Sequence, residues 1–172
     1  MKKLIYILSI FYIFNFSILY SDDFHTTLKK KADQGDAISQ NDLGHMYLDG
    51  FPDYNIPKDN DKAIYYLSKA AAQNQVNAMT TVGWVYFEGT YGAPIDYEEA
   101  IGWNKKASDL GCSIASYNMG LFYYGGLADL DQNLKEAKRF WLLSASQYFN
   151  PKNICRADPD ELFKEINKYN KN

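Results

Sequence analysis

The stretch AMTTVGWVYFEG (Ala78–Gly89) decides the fold, because two very similar stretches occur elsewhere in the chain. They are SQNDLGHMYLDG (Ser39–Gly50) and ASYNMGLFYYGG (Ala115–Gly126). All three share a central glycine, a tyrosine three residues later and a second glycine three residues after that. Small or apolar residues recur before and after the central glycine at the spacing of one helix face. The pattern predicts the same amphipathic helix three times, and we call it helix A.

A second predicted helix, helix B, follows each of these stretches. The three copies are DNDKAIYYLSKAA (Asp59–Ala71), DYEEAIGWNKKAS (Asp96–Ser108) and NLKEAKRFWLLSA (Asn133–Ala145). Each begins with Asp or Asn, residues that are preferred at a helix N-cap. Glu99 and Glu136, three residues later, predict a capping box in the second and third copies. The acidic run DYEE is therefore interpreted as helix capping and not as a catalytic pair of carboxylates.

The A and B helices together form a repeat. The matching alanines Ala63, Ala100 and Ala137 are 37 residues apart in both steps, and a period of this length indicates a helical solenoid. The central glycine is expected to let helix A pack closely on its partner, and the second glycine to end the helix. We expect a half unit over residues 22–36, full units over 37–76, 77–113 and 114–150, and a capping helix within 151–172.

These motifs resemble the Sel-1-like repeat (SLR), a relative of the tetratricopeptide repeat. ASYNMGLFYYGG and DYEEAIGWNKKA match its pattern best, and the resemblance covers residues from Phe24 to about Tyr148. It implies an all-α fold, a right-handed α/α superhelix of helical hairpins with a C-terminal capping helix. It also implies an adaptor or scaffold for protein–protein contacts. We expect a bacterial protein with no catalytic site, cofactor or metal.

An alternative function comes from cysteine-rich members of the same family, which are described as penicillin-binding or β-lactamase-like. They carry a cysteine pair in each repeat, but none of the matching residues here is cysteine, and two of them are Ser108 and Ser116. Signature motifs of serine hydrolases, zinc hydrolases and P-loop enzymes are also absent from the sequence. A binding protein is therefore the first hypothesis, and a β-lactamase-like hydrolase is the alternative.

A second stripe on each helix A is predicted to face a protein or peptide partner, because this stripe lines the concave groove in stacked helical hairpins. The predicted groove residues are Asn41, His45, Leu48, Asp49, Thr80, Trp84, Phe87, Glu88, Tyr117, Leu121 and Tyr124. Exposed aromatic side chains suit an extended peptide or an apolar anchor. The alternative for Trp84 and Phe87 is packing on the neighbouring helix A. Trp103 and Trp141, on B helices, are predicted to be core residues.

Two histidines, His25 and His45, are present, and no Cys/His spacing typical of a metal site occurs. His45 lies four residues before Asp49, a helical spacing that is compatible with a pH-sensitive pair. The alternative is a solvated histidine near a helix end.

The N-terminus predicts export to the periplasm or the medium. The basic MKK precedes the apolar run LIYILSIFYIFNFSILY (Leu4–Tyr20) and the polar SDD, which is the pattern of a secretory signal peptide. We expect residues 1–21 to form this signal, with cleavage after Ser21. The alternative is an uncleaved anchor, which would be the chain's contact with the membrane; the run is slightly short for a bilayer span.

Charge and cysteine content add two further expectations. The chain has 18 basic and 21 acidic residues and a formal net charge of −3, which does not favour nucleic-acid binding. Cys112 and Cys155 are able to pair in an exported protein. The sequence leaves this pairing open, because it depends on the distance between two turns.

Overall fold

The computed structural model describes residues 24–128, 130–150, 152 and 155. In chain order their helices are α1 (residues 24–33), α2 (Ala37–Asp49), α3 (Asn60–Ala72), α4 (Val76–Glu88), α5 (Tyr97–Asp109), α6 (Ser113–Gly125) and α7 (Leu134–Tyr148). The fold is all-α, as predicted: α2, α4 and α6 are the A helices, and α3, α5 and α7 the B helices. The predicted signal segment 1–21 lies outside the described residues, and so does the predicted capping segment 151–172 except for residues 152 and 155.

Two compact units, Met1–Tyr66 and Leu67–Asn172, make up the chain, and the division falls within α3. Each unit is described by itself below. Within the described ranges, no helix has both the length and the hydropathy that a membrane crossing requires.

Hydrogen bonds and stacked rings hold the first unit together. The Tyr47 and Tyr66 rings stack with centroids 6.0 Å apart, and the Tyr66 hydroxyl donates to Asp33 Oδ1 at 2.7 Å. Burial, together with this hydrogen bond, raises the pKa of the Tyr66 phenol above its ordinary value. Gln40 Nε2 donates to the carbonyl of Ala32 at 2.9 Å. The half unit α1 is therefore tied to both α2 and α3.

The predicted N-caps of the B helices are confirmed. Asp59, Asp96 and Asn133 each accept a hydrogen bond at 3.0 Å from the backbone N–H three residues later. Their own N–H groups donate to the carbonyls of Tyr47, Tyr86 and Tyr123, at 2.8–2.9 Å. The capping boxes predicted at Glu99 and Glu136 form only their first half, because the N-cap N–H already has an acceptor in helix A.

The two glycines of each repeat have different structural roles, as the sequence predicts: one ends helix A, and the other allows close packing. Gly50, Gly89 and Gly126 occupy the C-caps of the A helices, with φ of 63–74°. At Gly83, an added Cβ would lie 2.5 Å from Asn104 Nδ2 on α5. At Gly120, it would overlap the Trp141 indole on α7 and lie 2.8 Å from its Cε2. The central glycines of the second unit therefore allow the A and B helices to approach closely.

The core of the second unit lies among α4, α5, α6 and α7. Ala100, Met119, Phe122 and Phe140 form one buried cluster, with Tyr86 and Tyr123 packed against its edge. Trp141 is 1% exposed, as predicted for a core residue. Trp103 is only half-buried, and Lys106 Nζ lies 4.4 Å from its ring centroid. The prediction of a core position for Trp103 is wrong, because this ring covers the surface of α5 with a cation above it.

The disulfide left open by the sequence is present between Cys112 and Cys155, which are 43 residues apart. Both side chains are buried. The carbonyl of Cys155 accepts hydrogen bonds from the N–H and the Oγ of Ser113, each at 3.0 Å. Cys155, beyond the end of α7, is therefore tied to the N-terminus of α6 by one covalent bond and two hydrogen bonds.

Candidate partner-binding surface

The predicted groove residues of the first unit offer little free surface. Leu48 and Asn41 are buried, with 5% and 8% exposure, so they present almost no area to a partner. The Asn41 amide donates to Asp42 at 3.2 Å. Asp49 is exposed. Of the predicted groove residues of this unit, Asp49 therefore presents surface to a partner, whereas Leu48 and Asn41 present almost none.

His45, the remaining groove residue of the first unit, is half-buried and is not a solvated histidine. Burial lowers the pKa of its imidazole, although the carboxylates of Asp49 and Asp42 act in the opposite direction. Burial therefore works against the charged form of His45 that a pH-sensitive pair with Asp49 requires.

The second unit brings four of its seven predicted groove residues together around one cavity. Its volume is about 220 Å³, and its lining residues are Trp84, Phe87, Glu88, Asn104, Asn118, Leu121 and Phe122. Helix α4 supplies the first three, α5 supplies Asn104, and α6 supplies the others. We call this the α4–α6 cavity.

The remaining three predicted groove residues face elsewhere. The Thr80 hydroxyl donates to the carbonyl of Asn77 at 2.8 Å, within its own helix. Tyr117 and Tyr124 pack against the cluster that contains Trp141, and the Tyr124 and Trp141 rings are 6.1 Å apart. These two tyrosines therefore support the packing of α6 on α7.

Trp84 and Phe87 differ in exposure. The exposure of each residue indicates whether it faces a partner or packs on neighbouring residues. Trp84 is 41% exposed, and the centroids of its ring and the Tyr91 ring are 5.9 Å apart. Phe87 is half-buried between Tyr97, at 5.8 Å, and Phe122, at 5.5 Å. Phe87 is therefore mainly a packing residue that forms the cavity wall, whereas Trp84 presents much of its indole to solvent beside the cavity.

Two asparagines in the cavity were missed by sequence analysis. Asn118 Nδ2 donates to Asn104 Oδ1 at 2.9 Å, and Asn104 Nδ2 donates to the Ala100 carbonyl at 2.8 Å. Asn104 is fully buried. A signal was present in the sequence, because Asn104 occupies the place that Leu67 and Trp141 hold in the other B helices. A polar residue at an apolar repeat position indicates a local hydrogen-bond network.

A second hydrogen-bond network contains the buried residues Ser108 and Ser116. The hydroxyls of Ser108 and Ser116 are 2.6 Å apart, and Ser116 Oγ donates to Gln147 Oε1 at 2.6 Å. Gln147 Nε2 in turn donates to the Ser108 carbonyl at 3.0 Å. Hydrogen bonds therefore connect α5, α6 and α7 here. Within the described part of the chain, no group of three or more His, Cys, Asp or Glu residues is placed to hold a metal ion.

Comparison with known proteins identifies the family. The model of the Sel1 repeat matches residues 37–75, 76–112 and 113–149, which include α2 to α7. The chain belongs to the Sel1 repeat family. Sel1 repeats generally mediate protein–protein interactions and are generally non-enzymatic scaffolds. The predicted SLR solenoid is thus confirmed as the fold.

Individual relatives agree with this assignment. A Sel1 repeat protein from Oxalobacter formigenes is 26% identical, with a TM-score of 0.67, over 83% of this chain and 96% of its own. A protective antigen of uropathogenic Escherichia coli strains that displays an SLR fold is 32% identical, with a TM-score of 0.65, over 72% of this chain. A putative sel1-like repeat-containing protein of Acanthamoeba polyphaga mimivirus is 27% identical over 135 residues, 78% of this chain.

The relatives differ greatly in length. The Sel1 repeat protein described here spans 23% of the mimivirus protein and 25% of the Escherichia coli antigen. These two similarities therefore concern the repeats, not the whole of the longer proteins.

Proposed function

We propose that this Sel1 repeat protein is a bacterial adaptor that binds a protein or peptide partner at the α4–α6 cavity. The observation that carries the proposal is the position of Trp84, which is 41% exposed beside a cavity with aromatic walls. Solvent-exposed Trp next to a preformed concavity is the arrangement found at the energetic centres of protein interfaces. The packing of Phe87 between Tyr97 and Phe122 and the Asn104–Asn118 hydrogen bond hold the cavity walls in place before a partner binds.

Replacing Trp84 by alanine is expected to weaken partner binding by about 2 kcal/mol, or roughly thirtyfold in Kd, because the main apolar contact is lost. Folding should be little affected, since much of the side chain is already in water. Affinity purification with the wild-type and Trp84→Ala chains side by side, followed by quantitative mass spectrometry, identifies the partner. Titration with the purified partner then gives the two Kd values.

The matched control is Leu142→Ala, because Leu142 is a similarly exposed apolar residue, at 50%, on α7. This variant should retain the partner. Equal Kd values for wild type and Trp84→Ala would contradict the proposed surface. The purified chain is also assayed for nitrocefin turnover. Turnover that is abolished by both Trp84→Ala and Glu88→Ala would contradict the adaptor function and support the β-lactamase-like hydrolase.

We also propose that the protein is exported to the periplasm or the medium. The basic and apolar N-terminal sequence supports this, and so does the buried Cys112–Cys155 disulfide, because structural disulfides persist in oxidising compartments. The two observations are independent, since the cysteines lie far from residues 1–21.

Export is tested by fusing alkaline phosphatase, which is active only after export, to the C-terminus of the full chain. The fusion is expected to be active in cells, and deletion of residues 4–20 should abolish the activity. The mass of the purified chain then distinguishes cleavage after Ser21 from an uncleaved anchor. An inactive fusion that is present in full amount in the cytoplasm would contradict the proposal.

A further inference from the structure

The two A helices that line the cavity, α4 and α6, contain almost no charge. Glu88 is the one charged residue of α4, and α6 has none. Every Lys and Arg within the described helices of the second unit lies on a B helix, and no residue that lines the cavity is basic. In the first unit, helix α2 likewise has no Lys or Arg but carries Asp42 and Asp49. The A helices α2, α4 and α6 therefore carry no Lys or Arg, and α2 and α4 carry acidic residues.

Glu88 is available to a ligand at the cavity. It is exposed, and none of the ion pairs among the described residues involves it. It lies four residues after Trp84 on α4, so the two side chains are neighbours on the same helix face. A cation between them would meet a carboxylate and the face of an indole ring, and both attract positive charge.

Hydrogen bonding in the cavity fixes which atom of Asn118 is free. The Ala100 carbonyl is able only to accept, so Asn104 must present Nδ2 to it and Oδ1 to Asn118. Asn118 must then use its Nδ2 as the donor to Asn104. This leaves Asn118 Oδ1 as an acceptor, and no described residue donates to it. The cavity thus offers a second oxygen, besides the Glu88 carboxylate, to a ligand that carries hydrogen-bond donors.

The size of the cavity indicates one side chain. Sites for drug-sized molecules usually measure about 300–1,000 Å³, whereas this cavity measures about 220 Å³. Its walls include Phe87, Leu121 and Phe122, which suit an aliphatic stem. Lysine and arginine combine such a stem with a charged head that stays at the polar end.

We infer that the α4–α6 cavity receives a basic side chain, lysine or arginine, from the partner. The stem packs on Phe87 and Leu121, and the charged head meets Glu88, the Trp84 ring and Asn118 Oδ1. This inference rests on the proposed function and specifies the chemistry of its partner. An acidic side chain would meet a carboxylate in the cavity with no cation to balance it, so basic segments are selected over acidic ones.

The test uses three acetylated and amidated pentapeptides of alanine whose central residue is lysine, norleucine or glutamate. Each is titrated into the ¹⁵N-labelled full chain, and the three Trp indole N–H signals are followed by NMR. The Trp84 signal is assigned by its loss in Trp84→Phe. We expect the lysine peptide to shift the Trp84 signal saturably, with a Kd about tenfold lower than that of norleucine. The glutamate peptide should bind more weakly still.

Glu88→Gln should raise the Kd of the lysine peptide about threefold to fivefold and leave that of norleucine unchanged. Glu98→Gln removes an exposed acid on α5, is the matched control and should change neither Kd.

Equal Kd values for lysine and norleucine, an unchanged Kd in Glu88→Gln, or tightest binding of glutamate would overturn the inference. If no peptide moves the Trp84 signal while Trp84→Ala loses its natural partner, the inference fails and the proposed function stands. If Trp84→Ala keeps that partner, the proposed function itself fails.

Discussion

Breaking the Cys112–Cys155 disulfide is expected to lower the free energy of unfolding by about 4 kcal/mol. The bond joins residues 43 apart, and the unfolded chain gains the entropy of that loop when the bond is removed. Such a loss is a large part of the 5–15 kcal/mol that stabilises an ordinary domain. Urea unfolding of the wild-type chain, with and without a reductant, measures the effect.

The variant for this comparison is Cys112→Ser combined with Cys155→Ser. Serine is chosen because Cys112 Sγ also accepts a hydrogen bond from the N–H of Ala115 at 3.4 Å, as the N-cap of α6. A hydroxyl preserves that cap, so the measured decrease in the free energy of unfolding is due to the loss of the disulfide. The variant should unfold like the reduced wild type and should not respond to reductant. Two free thiols in the oxidised, native chain would contradict the bond.

Gly120→Ala is expected to destabilise the protein by about 2–3 kcal/mol, although alanine is the better helix former. The added methyl overlaps the indole of Trp141, which is 1% exposed and has no room to move. Helix α6 or α7 must then shift in a closely packed core. The midpoint of urea unfolding, compared at equal m-value, measures the loss.

Gly102→Ala is the matched control, because Gly102 also lies inside a helix, α5, but an added Cβ there meets nothing within 4 Å. This variant should gain about 0.5–1 kcal/mol. Combining Gly120→Ala with Trp141→Phe should recover part of the loss, since a smaller ring relieves the overlap. If Gly120→Ala and Gly102→Ala have the same effect, close approach is not the reason for the glycine.

Structural features with a local cause were the most predictable from the sequence. The N-caps at Asp96 and Asn133 and the C-cap at Gly89 each depend on a few neighbouring residues, and all three are confirmed. The tight packing at the central glycine was also predictable, because a glycine repeated at Gly83 and Gly120 within a helix needs a packing reason.

Predictions failed where the outcome depends on residues distant in the chain. Helical geometry puts Leu48 and Trp84 on the same stripe, but it does not say how much of each is covered, and only Trp84 is largely exposed. Trp103 has the side chain of a core residue, yet it lies half-buried beneath Lys106. The Cys112–Cys155 pairing was likewise undecided, because nothing local brings these two residues together.

The hydrogen bond from each N-cap N–H to the tyrosine carbonyl of helix A has a consequence for loop length. It closes the linker through backbone atoms alone, across 12 residues from Tyr47 to Asp59 and across 10 from Tyr86 to Asp96. The longer linker, with its turn at Pro52–Tyr54, forms the same bond. Lengthening a closed loop costs little entropy. The linkers are thus the points at which the repeat tolerates insertion, and we expect an epitope tag placed at the exposed turn of residues 52–55 to leave the register of the helices unchanged.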